Sequence, residues 1–155
     1  MKRVFAAIIL AAVLTALSSC GAKFSDVGIN AVGGAVSPVL EGGYKAADCP
    51  IEGAGAVSES ITYIRESADI VSDTVIVLRA RESGGADALE KLCRDYLSDR
   101  TDEGYISQVS AYDLPSAAKL KAADIARYEN YVVVCISGAD TVKAVFSAVR
   151  NALYG

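Results

Sequence analysis

Histidine and tryptophan are absent from these 155 residues, and proline, phenylalanine and methionine together occur only seven times. Without histidine there is no Ser–His or Cys–His pair, no H-E-x-x-H zinc site and no imidazole base. Positive charge is also in short supply: 15 Lys plus Arg stand against 19 Asp plus Glu, a formal net charge of −4. Such a chain lacks the basic face that phosphates demand, so nucleic acid is not an expected partner. Four cysteines occur but no C-x-x-C, which removes the thioredoxin motif and the usual structural zinc spacing. No P-loop is present. Gly53-Ala54-Gly55 falls short of a dinucleotide fingerprint because Ser58 stands where the last glycine belongs. Nor does any apolar run reach the roughly 20 residues of a membrane-spanning helix.

The longest apolar run covers residues 4–17, VFAAIILAAVLTAL, with Thr15 its only polar member, and Lys2 and Arg3 precede it. A positive start, a short apolar middle and small residues afterwards describe a secretory signal peptide. Its ending, Leu17-Ser18-Ser19-Cys20, resembles the bacterial lipobox. The resemblance implies cleavage before Cys20 and a diacylglycerol on the Cys20 sulfur, the only covalent group expected; no other cofactor and no metal is. The mature chain would keep 136 residues (155 − 19) and carry 13 positive against 19 negative side chains, −6. Tethered by lipid to the outer face of the cytoplasmic membrane, so acidic a domain is expected to stand off an anionic lipid surface.

Residues 20–56 read as the lipidated cysteine and a flexible tether, because Gly33-Gly34, Gly42-Gly43 and Pro38 interrupt them too often for a stable helix. As a coil, about 28 such residues span on the order of 29 Å. Val32, Val36, Val39 and Leu40 do have helical spacing, so a short helix docking on the domain is the alternative.

A single domain is expected over 57–155. SITYIR (60–65), TVIVLRA (74–80) and YVVVCI (131–136) are rich in β-branched residues and read as strands, and 122–127 is a fourth candidate. Leu89, Leu92, Cys93, Tyr96 and Leu97 form a helical stripe, as do Val142, Val145, Phe146, Val149 and Leu153 after an N-cap at Asp140. Residues 101–121 read as irregular. The order β-β-α-β-β-α predicts a two-layer α+β domain, an antiparallel four-stranded sheet with both helices on one face.

Ala68-Asp69, then Ser72-Asp73-Thr74-Val75-Ile76-Val77-Leu78-Arg79-Ala80, then Tyr112, Pro115 and Leu120, then Asn130-Tyr131-Val132-Val133-Val134 and Ser137 together carry a likeness to a known group. Behind a lipoprotein signal they resemble the small lipoproteins of Gram-positive bacteria grouped as domain of unknown function 4358, over roughly residues 60–150. Thr74 departs from the pattern, standing where an acidic residue commonly follows the aspartate. The resemblance implies an envelope location and this fold, and brings no activity with it.

Three constellations bear on chemistry. Ser116-Ala117-Ala118-Lys119 reads S-x-x-K, in which a lysine one turn away activates a serine nucleophile. Neither S-D-N nor K-T-G accompanies it, and with 15 Ser and 7 Lys in the chain one such spacing is expected by chance. Cys93, on a helix stripe, and Cys135, mid-strand, suit buried thiols, with a disulfide between them or a reactive thiol as alternatives. The acidic run at 99–103 lacks the ligand spacing of a calcium loop. Eight tyrosines are spread along the chain, and Tyr105 and Tyr112, in the irregular segment, are the candidates for an interaction surface. The expected function is a lipid-anchored, non-catalytic binding or adaptor module contacting a protein or envelope ligand. The alternative is a small envelope enzyme using Ser116 with Lys119 or a reactive cysteine.

Overall fold

TVIVL at 74–78 and YVVVCI at 131–136 do not alternate apolar with polar residues, and strands of that kind must be covered on both faces. The computed structural model, which describes residues 22–82 and 84–155, covers them so. Five strands, β1 (Lys45–Ala47), β2 (Ser58–Arg65), β3 (Asp73–Ala80), β4 (Asp124–Tyr128) and β5 (Tyr131–Ile136), form one antiparallel sheet in the order β1-β2-β3-β5-β4. β3 and β5 lie side by side near its centre, Thr74 opposite Ile136 and Arg79 opposite Tyr131.

From β3 and β5 the side chains alternate into two cores. Ile76, Leu78, Val132 and Val134 meet α3 (Gly85–Ser98), α4 (Glu103–Ser110) and α5 (Leu114–Ala122). Val75, Val77, Val133 and Cys135 meet α1 (Ile29–Val36) and α6 (Ala139–Tyr154) on the other face. All eight strand side chains are fully buried, each worth roughly 1.5–3 kcal/mol relative to exposure. The α+β class therefore stands, while the two-layer, four-stranded arrangement does not. The sheet has a fifth strand, β1, and helices on both faces. A short helix, α2 (Ala54–Val57), leads into β2. Among the described residues no helix is long and apolar enough to cross a membrane.

The expected flexible tether is the second correction. From Phe24 onward the chain is part of the fold: the Phe24 ring packs on Tyr154 and Tyr131 at 5.8 and 6.5 Å, and the Ser25 amide donates to the Leu153 carbonyl. Helix α1 buries Val32 and Val36 completely. Gly33 lets it lie close on the sheet, since a Cβ there would fall 2.5 Å from Ile61 Cδ1. The docking helix that the valine spacing allowed is the arrangement found.

Three smaller expectations also change. Residues 101–121 are largely a helical hairpin, α4 and α5, whose polar interruptions are caps: Asp102 accepts from the Tyr105 amide and Asp113 from the Ser116 amide, with Pro115 in the first turn of α5. Gly138 caps α6, and Asp140 lies in its first turn. Cys93 and Cys135 are free and belong to different cores, one on each face of the sheet, so no bridge joins them; the cysteine beside Cys93's core is Cys49.

Strand register also gives the sheet two ends. At one lie Arg79, Tyr131 and, packed on them, Phe24 and the end of α6. At the other lie Asp73, Ile136 and the 66–72 connection between β2 and β3.

Candidate functional site

The 66–72 connection would be a loose loop on composition alone, yet it is pinned to the start of α5. The Ile70 amide donates to Asp113 Oδ2 at 2.7 Å and the Val71 amide to Ser116 Oγ at 2.8 Å. Ser116 Oγ in turn donates to Asp113. Asp113 thus caps a helix and holds a loop with one carboxylate, and these hydrogen bonds keep its carboxyl below the usual range.

Beneath the loop lies a buried ionic cluster. Lys119 Nζ donates to Asp69 Oδ2 at 2.6 Å, Asp73 Oδ2 at 2.8 Å and the Val71 carbonyl at 3.2 Å. Asp73 is 1% exposed and accepts further hydrogen bonds from Ser137 and Arg65. Tyr44 stands beside Ser137, its hydroxyl 3.2 Å from the serine's, and the Arg65 guanidinium lies over its ring. Burial pushes the Asp73 carboxyl up, but hydrogen bonds from Lys119 and Ser137 and the nearby cations outweigh it and hold it below its ordinary value. Lys119 moves the opposite way: burial favours its neutral form, and the two carboxylates override that and raise it.

The S-x-x-K residues have separate partners. Ser116 is fully buried with its hydroxyl committed to Asp113, and Lys119 is paired with Asp69 and Asp73. The helix places the two residues one turn apart, and the loop recruits each separately. Both have structural work here: they staple 66–72 to α5. Among the cysteines, Cys93 and Cys135 are fully enclosed, and burial pushes both thiols up to about 12, which leaves them protonated at neutral pH. Among the described residues no cluster of ligating side chains could hold a metal ion.

The pinned loop and hairpin carry an unusual surface. Tyr112 is 88% exposed, Leu114 72%, Ile70 63% and Tyr105 39%, and with Val27, at the other end of the molecule, these are the exposed large apolar side chains among the described residues. The four are neighbours. Tyr112 and Leu114 flank Asp113, whose carboxylate holds the Ile70 amide, and Ile70 and Tyr105 line one hollow of about 210 Å³ with Tyr96 and Arg100. Arg100 stacks 3.7 Å above the Tyr96 ring and closes one side. A shallower groove of about 680 Å³ runs alongside, between Ile106 and Ser110 of α4 and Leu120 and Lys121 of α5. Asp99, Asp102 and Glu103 stand exposed nearby.

Of the residues singled out from the sequence, Tyr105 and Tyr112 come together on this surface. Leu17, Ser18, Ser19 and Cys20 lie outside the described residues. Ile70 and Leu114 escaped sequence reading. The signal was there in outline: Ile70 is an apolar residue inside a run of turn formers, and Leu114 occupies the first turn of a helix whose inward positions are taken by Ala117 and Leu120.

Fold and surface together define a three-layer α+β domain with an apolar, aromatic patch on one pinned end. Comparison with protein-family models, with curated proteins and with solved structures finds no match.

Proposed function

We propose that this protein is a lipid-anchored module of the bacterial cell envelope, held by Cys20 on the outer face of the cytoplasmic membrane, that docks a protein partner and catalyses no reaction. The observation that carries the docking role is the gathering of Ile70, Tyr105, Tyr112 and Leu114, all exposed, on a surface held rigid from below. Single exposed apolar residues need no explanation, but four that adjoin on a braced scaffold are the arrangement of a binding patch. Tyrosine suits it, giving broad contact at little conformational cost. The lipobox spacing and the likeness to small envelope lipoproteins support the location.

The test is in-cell crosslinking of the full chain, followed by affinity capture and mass spectrometry. One dominant partner, captured by the native protein and lost from a folded Tyr105→Ala/Tyr112→Ala variant, is expected. Undiminished capture by that variant overturns the patch. Cys20→Ser should leave the membrane fraction, and retention there overturns the anchor.

A further inference from the structure

Cys49 and Cys93 are far apart in the chain but lie at one level of the sheet. The register sets Ala47 of β1 opposite Thr62 of β2, and Thr62 opposite Ile76 of β3, four residues before Ala80, where β3 ends. Four residues of strand cover about 13 Å. Helix α3 begins at that same end, where a Cβ on Gly85 would stand 3.6 Å from that of Ala80. It then runs back along the sheet, since Tyr96 and Arg100 line a hollow with Thr74 and Ile136 at the far end. Cys93 comes eight residues after Gly85, about 12 Å along the axis. Cys93 is thus abreast of Ala47, and Cys49 is two residues past Ala47, where the pairing of β1 has ended.

The sides match as well. Asp87 and Glu90 turn to Arg127 on β4, so the opposite flank of α3, with Leu89, Cys93 and Tyr96, faces the crossover that leads from β1 to α2. In that crossover Ile51 is buried in the same core as Leu89 and Cys93, Cys49 packs against that core, and α2 touches α3. Cys49 is near enough that a thiolate there would push up both the Cys93 thiol and the Tyr96 hydroxyl, one turn apart on the helix. Cys135 belongs to the core on the other face of the sheet.

We propose that Cys49 and Cys93 are joined by a disulfide in the exported protein, pinning the crossover and the edge strand β1 to α3. This rests on the envelope location given above, since an oxidising compartment lets such a bond form and persist. The structure holds both residues as thiols. Closure needs their Cα atoms within about 7 Å, and residues 48–53, which belong to no strand, are free to adjust to it. β1 is the element that gains: three residues, all exposed, at the edge of the sheet.

The oxidant is itself a disulfide, that of an envelope oxidoreductase or of oxidised glutathione. Cys49 is the half-buried sulfur that such a reagent reaches. Its attack forms a mixed disulfide and expels one thiol of the oxidant; the Cys93 sulfur then displaces the second, so two protons and two electrons leave on the oxidant. Because Cys93 is fully enclosed and its thiol is pushed up to about 12, the closing step is the slow one.

The test takes the full chain from the membrane fraction without reductant, unfolds it directly in iodoacetamide to block every free thiol, and digests it with trypsin for mass spectrometry. Cys49 falls in the peptide of residues 46–65, Cys93 in 92–94 and Cys135 in 128–143. The first two should appear joined, with only Cys135 alkylated, and should separate on reduction. Closing the loop between residues 49 and 93 should also raise the urea midpoint of the native chain above that of its reduced form, a difference that Cys49→Ala abolishes. Alkylation of both Cys49 and Cys93 in membrane-bound protein, or Cys49 joined to a second copy of itself, overturns the bridge and leaves the location standing. Recovery of the chain from the cytoplasm overturns the location, and the bridge with it.

Discussion

Two aspartates, Asp73 and Asp26, organise opposite ends of the sheet, each with a cation and a hydroxyl, in opposite surroundings. Asp73 is 1% exposed and its lysine 11%, whereas Asp26 is 32% exposed and Arg79 28%. At the buried end the carboxylate is the one group that satisfies Lys119, Ser137 and Arg65 at once, so the loop above it cannot leave without stranding charge. Near the surface, Asp26 collects Arg79, Tyr131 and Asn130, and its own carboxylate and the Arg79 guanidinium stay partly open to solvent. The same chemistry therefore works as a staple in one place and as a tie in the other. A buried pair adds little net stability over a well-packed apolar replacement, but breaking it from one side is expensive. An exposed pair is worth little either way.

The sharpest way to break this contrast is Asp73→Ala, which should cost about 3–5 kcal/mol by taking from the nearly buried Lys119 the more deeply buried of its two carboxylates and leaving the Ser137 hydroxyl without its acceptor. Urea unfolding checks it as a lowered midpoint at an unchanged slope. Asp73→Asn/Lys119→Met should cost about 1–3 kcal/mol less than the two single changes summed, because they share one interaction. A simply additive result would dissolve the cluster into independent contacts.

Asp26→Asn should cost less, about 1–2 kcal/mol, chiefly from weaker hydrogen bonding to Tyr131 and the lost charge pairing with Arg79. Its cost should shrink as salt is raised, while that of Asp73→Ala holds. Hydrogen bonds from Arg79, Tyr131 and Asn130 keep the Asp26 carboxyl well below the usual carboxylate range. A depressed carboxyl contributes stability that is full above its unfolded value, near 4, and is lost as pH falls through the folded one. Stability of the native protein should thus fall below about pH 4, and Asp26→Asn should flatten that fall in acid titrations followed by circular dichroism. An unchanged acid limb would remove Asp26 from the account.

Smallest of all in stability should be Tyr112→Ser or Leu114→Ser, within about 0.5 kcal/mol of the native protein, since neither side chain is buried. Thermal unfolding checks this, and a large loss would mean that the patch is part of the fold and not a free surface.

Much of the local structure was legible in the residues. The stripe at Leu89, Cys93 and Leu97 is the buried side of α3, and Val142, Val145, Val149 and Leu153 are that of α6. The hairpin capped by Asp102 and Asp113 was written in the same code, but its two helices are short and weakly amphipathic, so their polar caps read as breaks. The layer count had a signal too. Strands as uniformly apolar as TVIVL and YVVVCI demand cover on both faces, and four strands with two helices on one side would have left Val75, Val77 and Val133 in water. The glycines of 28–43 misled most, because Gly33 permits close packing of α1 and does not prevent the helix.

By itself the sequence determined the strand and helix periodicities, the α+β class and the positions expected to be apolar, since each depends on residues a few places apart. Only the tertiary structure decided that Cys93 and Cys135 face different cores, that Ser116 and Lys119 serve a loop some 45 residues earlier in the chain, and that Ile70 meets Tyr112 and Leu114 at one surface. Those outcomes rest on strand register and on which face each helix covers. Both are set by contacts between distant segments, which no local pattern of residues encodes.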